Sequence, residues 1–187
     1  MIRLEFEPIQ HTLQPKGQYW SDLRLLRQGV CLHYDASGSD AGGLAWLQGL
    51  DVKASYNIVV LDDGAWGFIA PLNKAAWHAG KSRASESFSY PNDMANHALY
   101  GVSILSSGKD DVTPRQMLTA AWLCARLFRS HLWPTSEFWR VTTHRAEAYP
   151  RGRKSDPEGA DPRNPILSAD DVRALIPLFR GVEPLSA

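Results

Sequence analysis

Short apolar runs of strand length alternate along this chain with segments of helical periodicity, a pattern that restricts it to a sheet covered by helices. Val30-Cys-Leu-His-Tyr34 reads as a strand. Ser55–Leu61 and Ala65–Ala70 read as two more, and the Asp62-Asp63-Gly64 between them signals a hairpin. Leu99–Leu105 has the apolar density of a buried strand, and Trp139–Thr143 is a further short one. The clearest helix covers Thr113–His131. Thr113 can cap it, Pro114 suits the first helical position and Gln116 completes a capping box. Met117, Ala120, Ala121, Cys124, Leu127 and Phe128 then recur at helical spacing. Ser168–Phe179 predicts a closing helix, with Ser168 as its cap and Asp170 and Asp171 in the first turn, where carboxylates favour the helix dipole. Shorter helices are expected at Ser21–Arg27 and Gly42–Leu50, with a turn-rich stretch at Asp35–Asp40. Residues 79–97 lack periodicity and 145–166 are punctuated by proline and glycine, so both are expected as loops. A patternless stretch as long as 79–97 inside a compact unit is usually functional or mobile.

Of the 187 residues, 44% are hydrophobic and 21% charged, enough for one packed domain over 1–187 and too apolar for a disordered chain. Twenty basic residues balance twenty acidic ones. No overall field therefore draws the protein towards nucleic acid or an anionic surface, and any affinity for a charged polymer must be local. Cys31 and Cys124 are too few and too distant for a disulfide framework, and their apolar settings predict buried free thiols. The segment Met1–Glu7 lacks the apolar stretch of a signal peptide, and no run reaches transmembrane length. The expectation is a monomer made in the cytoplasm, without membrane insertion, that works there or leaves by a route its own sequence does not encode.

Three metal-ligand side chains stand at strand ends or in loops: His33 in Leu32-His-Tyr-Asp-Ala-Ser37, His144 in Val141-Thr-Thr-His-Arg145, and Asp156 in Gly152-Arg-Lys-Ser-Asp-Pro157. Two imidazoles and one carboxylate leave a fourth tetrahedral position open, the usual arrangement of catalytic zinc. Spacing alone also admits a core-bonded strand histidine at 33, a surface-loop histidine at 144 and a turn-forming aspartate before Pro157.

These segments belong to an ordered series of blocks. Cys31-Leu-His-Tyr-Asp-Ala-Ser37, Ser55-Tyr-Asn-Ile-Val-Val60 with Asp63-Gly64, Ala76-Trp-His-Ala-Gly80, Tyr100-Gly-Val-Ser103, Thr143-His-Arg145 and Gly152–Pro157 follow one another over about residues 29–160. In that order they resemble the zinc-dependent N-acetylmuramoyl-L-alanine amidases, which include phage endolysin amidases, muropeptide-recycling amidases and peptidoglycan recognition proteins. The resemblance implies an α/β fold with a single mixed sheet of about five or six strands flanked by helices. It implies a hydrolase that cuts the amide between N-acetylmuramic acid and L-alanine of peptidoglycan, with zinc held by His33, His144 and Asp156. Lys154 matches the family's catalytic lysine, and Tyr56 matches a hairpin tyrosine that assists proton transfer or orients water. Recycling relatives carry glutamate where this chain has Ser103, which reads instead as a small wall residue. Trp77, His78 and Arg153 are expected to line the substrate groove, with Arg153 suited to the carboxylates of a stem peptide and His78 equally readable as a buried structural histidine. The implied role is that of a phage or prophage endolysin. The alternatives are a cytoplasmic anhydro-muropeptide recycling amidase and a binding module without catalysis.

Overall fold

A computed structural model describes residues 6–13, 20–37, 39–49, 53–106, 112–134, 136–158, 167–179 and 181–185. In chain order its elements are β1 (Gln10–His11), β2 (Trp20–Asp22), β3 (Gly29–Tyr34), α1 (Asp40–Leu47), β4 (Ile58–Val60), β5 (Trp66–Phe68), β6 (Lys74–Ala76), α2 (Ala95–Ala98), β7 (Leu99–Ile104), α3 (Pro114–Ser130), β8 (Val141–Thr143), α4 (His144–Glu147) and α5 (Ala169–Leu175). Six strands form one mixed sheet in the order β1-β5-β4-β7-β3-β8, as the α/β reading expects, and β2 and β6 make a separate two-stranded ribbon. Within the sheet β4, β7, β3 and β8 run parallel, and β5 turns back antiparallel on β4.

Side-chain alternation divides the central strands into two chemistries. Val30 and Leu32 of β3, with Tyr100, Val102 and Ile104 of β7, join a core completed by Ala120, Leu123, Cys124, Leu127 and Phe128 of α3 and Val172 of α5. The intervening Cys31, His33, Leu99, Gly101 and Ser103 lie at the other parity, on the opposite face. The register pairs Cys31 with Gly101 and His33 with Ser103. One face is closed by this core, and the other carries the polar groups beside two smaller apolar clusters, one including Cys31, Phe88, Tyr90 and Leu99 and one including Tyr56, Val59 and Leu105.

The helix reading is accurate where capping chemistry is explicit. Thr113 Oγ1 accepts from the Gln116 amide and Gln116 Oε1 accepts from the Thr113 amide, an arrangement worth about 1 kcal/mol. The hairpin forms at Asp62-Asp63-Gly64, and Gly64 takes a φ of +79° that only glycine adopts without strain. Cys31 and Cys124 are both buried free thiols.

Four local expectations are corrected. Ser21–Arg27 forms no helix, because Trp20–Asp22 pairs with Lys74–Ala76 and Arg27 is drawn inward. Arg27 donates to the carbonyls of Asn96 (3.1 Å), Lys74 (2.5 Å) and Leu99, and its guanidinium stacks 4.3 Å over the Tyr100 ring. Burial lowers the Arg27 pKa to about 10, which leaves it charged at neutral pH. The strand expected at Trp139–Thr143 begins only at Val141, after a 3-10 turn at Phe138–Arg140. The 145–166 segment opens with α4, and its residues 159–166 lie outside the described residues. The closing helix runs from Ala169 to Leu175 and tightens into a 3-10 turn at Ile176–Phe179.

The patternless 79–97 segment is tied down rather than loose. Ser82 bridges Ala148, the Arg83 amide donates to Glu147 O (3.0 Å), and the Tyr149 amide donates to Lys81 O (3.1 Å). Glu147 is fully buried and accepts from the Ser85 amide (3.0 Å), the Thr142 hydroxyl (2.9 Å) and the Tyr90 hydroxyl. Glu147→Ala strands these three donors and is expected to cost on the order of 3 kcal/mol, read as a lower urea midpoint. Glu86→Ala, at an exposed position of the same segment, is expected to stay within about 0.5 kcal/mol of the parent. Equal midpoints for the two variants would show that the Glu147 carboxylate is not the tie.

Candidate metal centre

The carboxyl ends of parallel β3, β7 and β8 open onto one place, where α/β sheets characteristically gather functional groups. His33 is the penultimate residue of β3 and Ser103 the penultimate residue of β7. Leu32 pairs with Thr143, so the next residue on each strand brings His33 and His144 side by side, their ring centroids 4.6 Å apart. The Arg145 amide donates to Asp156 O (2.9 Å) and folds the 150–158 segment back, which carries Asp156 into the same place. Asp156 Oδ2 lies 3.0 Å from His33 Nδ1 and 3.1 Å from His144 Nδ1, and all three side chains are buried.

The outer ring nitrogens decide what these three groups can do. His144 Nε2 is 3.0 Å from the carbonyl of Ala79, an acceptor only, so Nε2 carries the hydrogen and Nδ1 is the nitrogen left to present a lone pair. His33 is set through a relay. His78 Nε2 faces the carbonyl of Leu99 at 3.3 Å and donates to it, which leaves His78 Nδ1 as an acceptor for the Nε2 hydrogen of His33, 3.0 Å away. Nδ1 of His33 is then a lone-pair donor pointing at Asp156. Burial, only partly offset by Asp156, lowers the His33 pKa to about 4 and keeps the ring neutral, and burial likewise drives His78 far down.

Two imidazole lone pairs and a carboxylate therefore converge with like polarity, a set that a cation completes. Tetrahedral ligands about 2.0–2.1 Å from zinc stand roughly 3.3 Å apart, close to the observed spacing. Among the described residues a second donor group overlaps the first, formed by Cys31, His33 and His78. Burial raises the Cys31 thiol well above its ordinary pKa.

Around this cluster the other expected residues take distinct places. The buried Tyr56 ring lies 5.0 Å from the His33 ring, and burial, reinforced by the Asp156 charge, raises its phenol pKa and keeps it protonated. Ser103 is fully buried beside Tyr56, and its Oγ has no well-formed hydrogen bond among the described residues. Lys154 is exposed at the rim, near enough for its charge to help depress the His33 pKa. Trp77 stands 40% exposed, its amide held by Ser55 Oγ at 3.0 Å. Arg153 donates to the carbonyls of Tyr149 (3.1 Å), Ala79 (3.1 Å) and Lys81 (2.7 Å), stitching the 79–85 and 149–153 segments together. His78 is inside, behind His33, instead of along an open groove.

Two positions emerge only from the structure. Asn96 Oδ1 accepts from the backbone amides of His78 (3.0 Å) and Ala79 (2.8 Å), fixing the backbone that carries the His78 ring and the carbonyl that His144 uses. Gly101 lies so close to the His78 ring that an added Cβ would fall 2.6 Å from Cγ. A lone asparagine in a patternless segment carries no signal, whereas Gly101 stood in plain sight inside a strand, where glycine often marks a close approach.

A family model described as N-acetylmuramoyl-L-alanine amidase matches residues 25–159. No curated protein matches the chain. Among solved structures, AmpD superposes with a TM-score of 0.63 at 19% identity, covering 91% of this chain and 94% of its own. A mutant endolysin from Bacillus subtilis gives 0.61 at 20% identity, covering 91% and 98%. AmpDh3 from Pseudomonas aeruginosa, solved in complex with an anhydromuramic pentapeptide, gives 0.57 at 19% identity over 84% of this chain and 62% of its own. At such identities the likeness is one of fold.

Removing the outer partner of His33 frees its ring to turn or change tautomer. His78→Ala is expected to weaken zinc binding about 10- to 100-fold with the far-ultraviolet dichroism unchanged. Gly101→Ala, which pushes on the same ring, is expected to move affinity in the same direction. Parental affinity in both variants would show that the relay does not set His33.

Proposed function

The chain belongs to the N-acetylmuramoyl-L-alanine amidase family, and from that premise we propose that it hydrolyses the amide between N-acetylmuramic acid and L-alanine of peptidoglycan at a zinc ion held by His33, His144 and Asp156. The observation that carries this reading is the convergence of two tautomer-fixed imidazole nitrogens and one carboxylate oxygen at 3.0–3.1 Å. Zinc in such a site supplies Lewis acidity towards water and the scissile carbonyl. With three protein ligands the set suits catalysis, since structural zinc sites are almost always closed by four.

The chain's own groups divide the remaining work. Lys154 stands at the mouth as an exposed positive charge near His33, suited to stabilise negative charge growing on the carbonyl oxygen. Tyr56, buried against His33, offers a hydroxyl hydrogen to orient the attacking water or accompany proton transfer. Ser103 narrows the wall beside it, and a serine without an activating base is a poor proton acceptor. The exposed face of Trp77 suits a sugar ring or the stem peptide. Arg153 serves the substrate indirectly by holding the 79–85 segment over the site. For His78 the geometry favours positioning of His33 over contact with substrate.

An endolysin-type action on the intact wall is favoured over muropeptide recycling by Ser103, which occupies the position where the recycling relatives it resembles carry glutamate. A peptidoglycan or muropeptide substrate is supported by the anhydromuramic pentapeptide seen in AmpDh3.

Incubation with purified sacculi is expected to release new alanine N-termini faster, per bond, than incubation with small anhydro-muropeptides. The reverse preference would favour recycling, and binding without release would leave only a recognition module. Asp156→Ala is expected to lose zinc and hydrolysis together. Lys154→Ala is expected to retain zinc and lose about 10²- to 10³-fold in rate. Undiminished hydrolysis by metal-free protein would overturn the mechanism.

A further inference from the structure

The His33 ring stands between two sets of donors. Its Nδ1 faces His144 and Asp156, and its Nε2 faces His78 Nδ1 at 3.0 Å. The thiol of Cys31, two residues earlier on the same face of β3, completes a group whose ligand atoms all lie within 4.8 Å of one another. Cys31 and His33 are wholly buried and His78 is 6% exposed, so this second group is shielded from solvent. Its character differs from the first, because a sulfur replaces the carboxylate. Thiolate with imidazole selects soft, thiophilic ions over hard ones.

We propose that Cys31, His33 and His78 form a second site, for a thiophilic divalent ion such as cadmium, and that an ion there excludes zinc from His33, His144 and Asp156. The site is nearly preformed. The ligand atoms of the three residues all lie within 4.8 Å of one another, and His33 Nε2 and His78 Nδ1 are 3.0 Å apart. His78 needs no change of tautomer, since Nε2 keeps its hydrogen on Leu99 O and Nδ1 already presents a lone pair. Cys31 releases its thiol proton to solvent as the sulfur–metal bond forms. His33 gives up the hydrogen on Nε2 and takes one on Nδ1, where Asp156 Oδ2 accepts it across 3.0 Å. A neutral imidazole has one lone pair, so His33 can serve one ion at a time. The exclusion rests on the zinc assignment proposed above; thiolate binding itself does not.

The test is a cadmium titration of the metal-free protein, followed by the ultraviolet charge-transfer band of a cadmium–thiolate bond. The parent is expected to develop the band to saturation at a single equivalent. Cys31→Ser and Cys31→Ala, each checked by circular dichroism, are expected to show none, and Cys124→Ala is expected to keep it. Zinc added beforehand should raise the cadmium midpoint about tenfold or more. His144→Ala should keep the band and lose that protection. Absence of the band in the parent, or its survival without Cys31, overturns the site. A band unmoved by zinc, with both metals bound together, overturns the exclusion. These readouts are independent of hydrolysis, so a protein that binds cadmium through Cys31 yet cleaves no amide would fail the catalytic reading and leave this one standing.

Discussion

The contact from His33 Nε2 to His78 Nδ1 is the hinge of the whole site. A buried neutral histidine presents one lone pair, and its direction is set by where the other nitrogen's hydrogen goes. Were that hydrogen on Nδ1, the ring would meet Asp156 as a simple hydrogen-bond donor and the cluster would need no metal. The relay to Leu99 O removes that option for the neutral ring, and the Ala79 carbonyl does the same for His144. Outer-sphere partners of this kind commonly tune metal affinity as strongly as some ligands do. The same contact opens the second donor set, because whatever holds Nε2 can be exchanged for an ion.

The two faces of one sheet carry unequal shares of stability and chemistry. The α3 side of β3 and β7 is closed by aliphatic and aromatic packing, with residues such as Val30, Leu32, Leu123 and Phe128 wholly removed from water. That burial allows the other side to carry His33 and Ser103, which gain little from being inside, beside the smaller apolar cluster that holds Cys31. Burying polar groups is costly unless they are bonded, and here most are. Glu147, Asn96, Asn57 and Arg27 each take several backbone or side-chain partners, and each ties a loop to the sheet. The loops over the metal centre are therefore held by polar bonds together with the packing of Phe88 and Tyr90, while the centre's floor is held by apolar contacts.

This division explains how much of the protein is legible in one dimension. Periodicity reports burial, so β3, β7, the hairpin and α3 were readable wherever an apolar pattern met a capping or turn residue, as at Thr113–Gln116 and Asp63-Gly64. The β2–β6 ribbon and the covering of the site were not readable. Their cohesion comes from Arg27, Glu147 and Asn96 bonding to carbonyls and amides far away in the chain, and such bonds leave no local pattern. The expected helix at Ser21–Arg27 failed for this reason, since a long-range ribbon and a buried guanidinium overrode local preference.

By itself the sequence determined the α/β class, the ordered blocks that mark the family, and the identity of the residues able to ligate a metal. It could do so because residue type and spacing along a strand or a cap are local properties. Only the tertiary structure decided that His33, His144 and Asp156 converge, which ring nitrogen each histidine presents, and that His78 stands behind His33 rather than in the groove. Those are relations between β3, β8 and two loops separated by up to 123 residues, and a lone pair's direction is fixed by partners that no local stretch of chain contains.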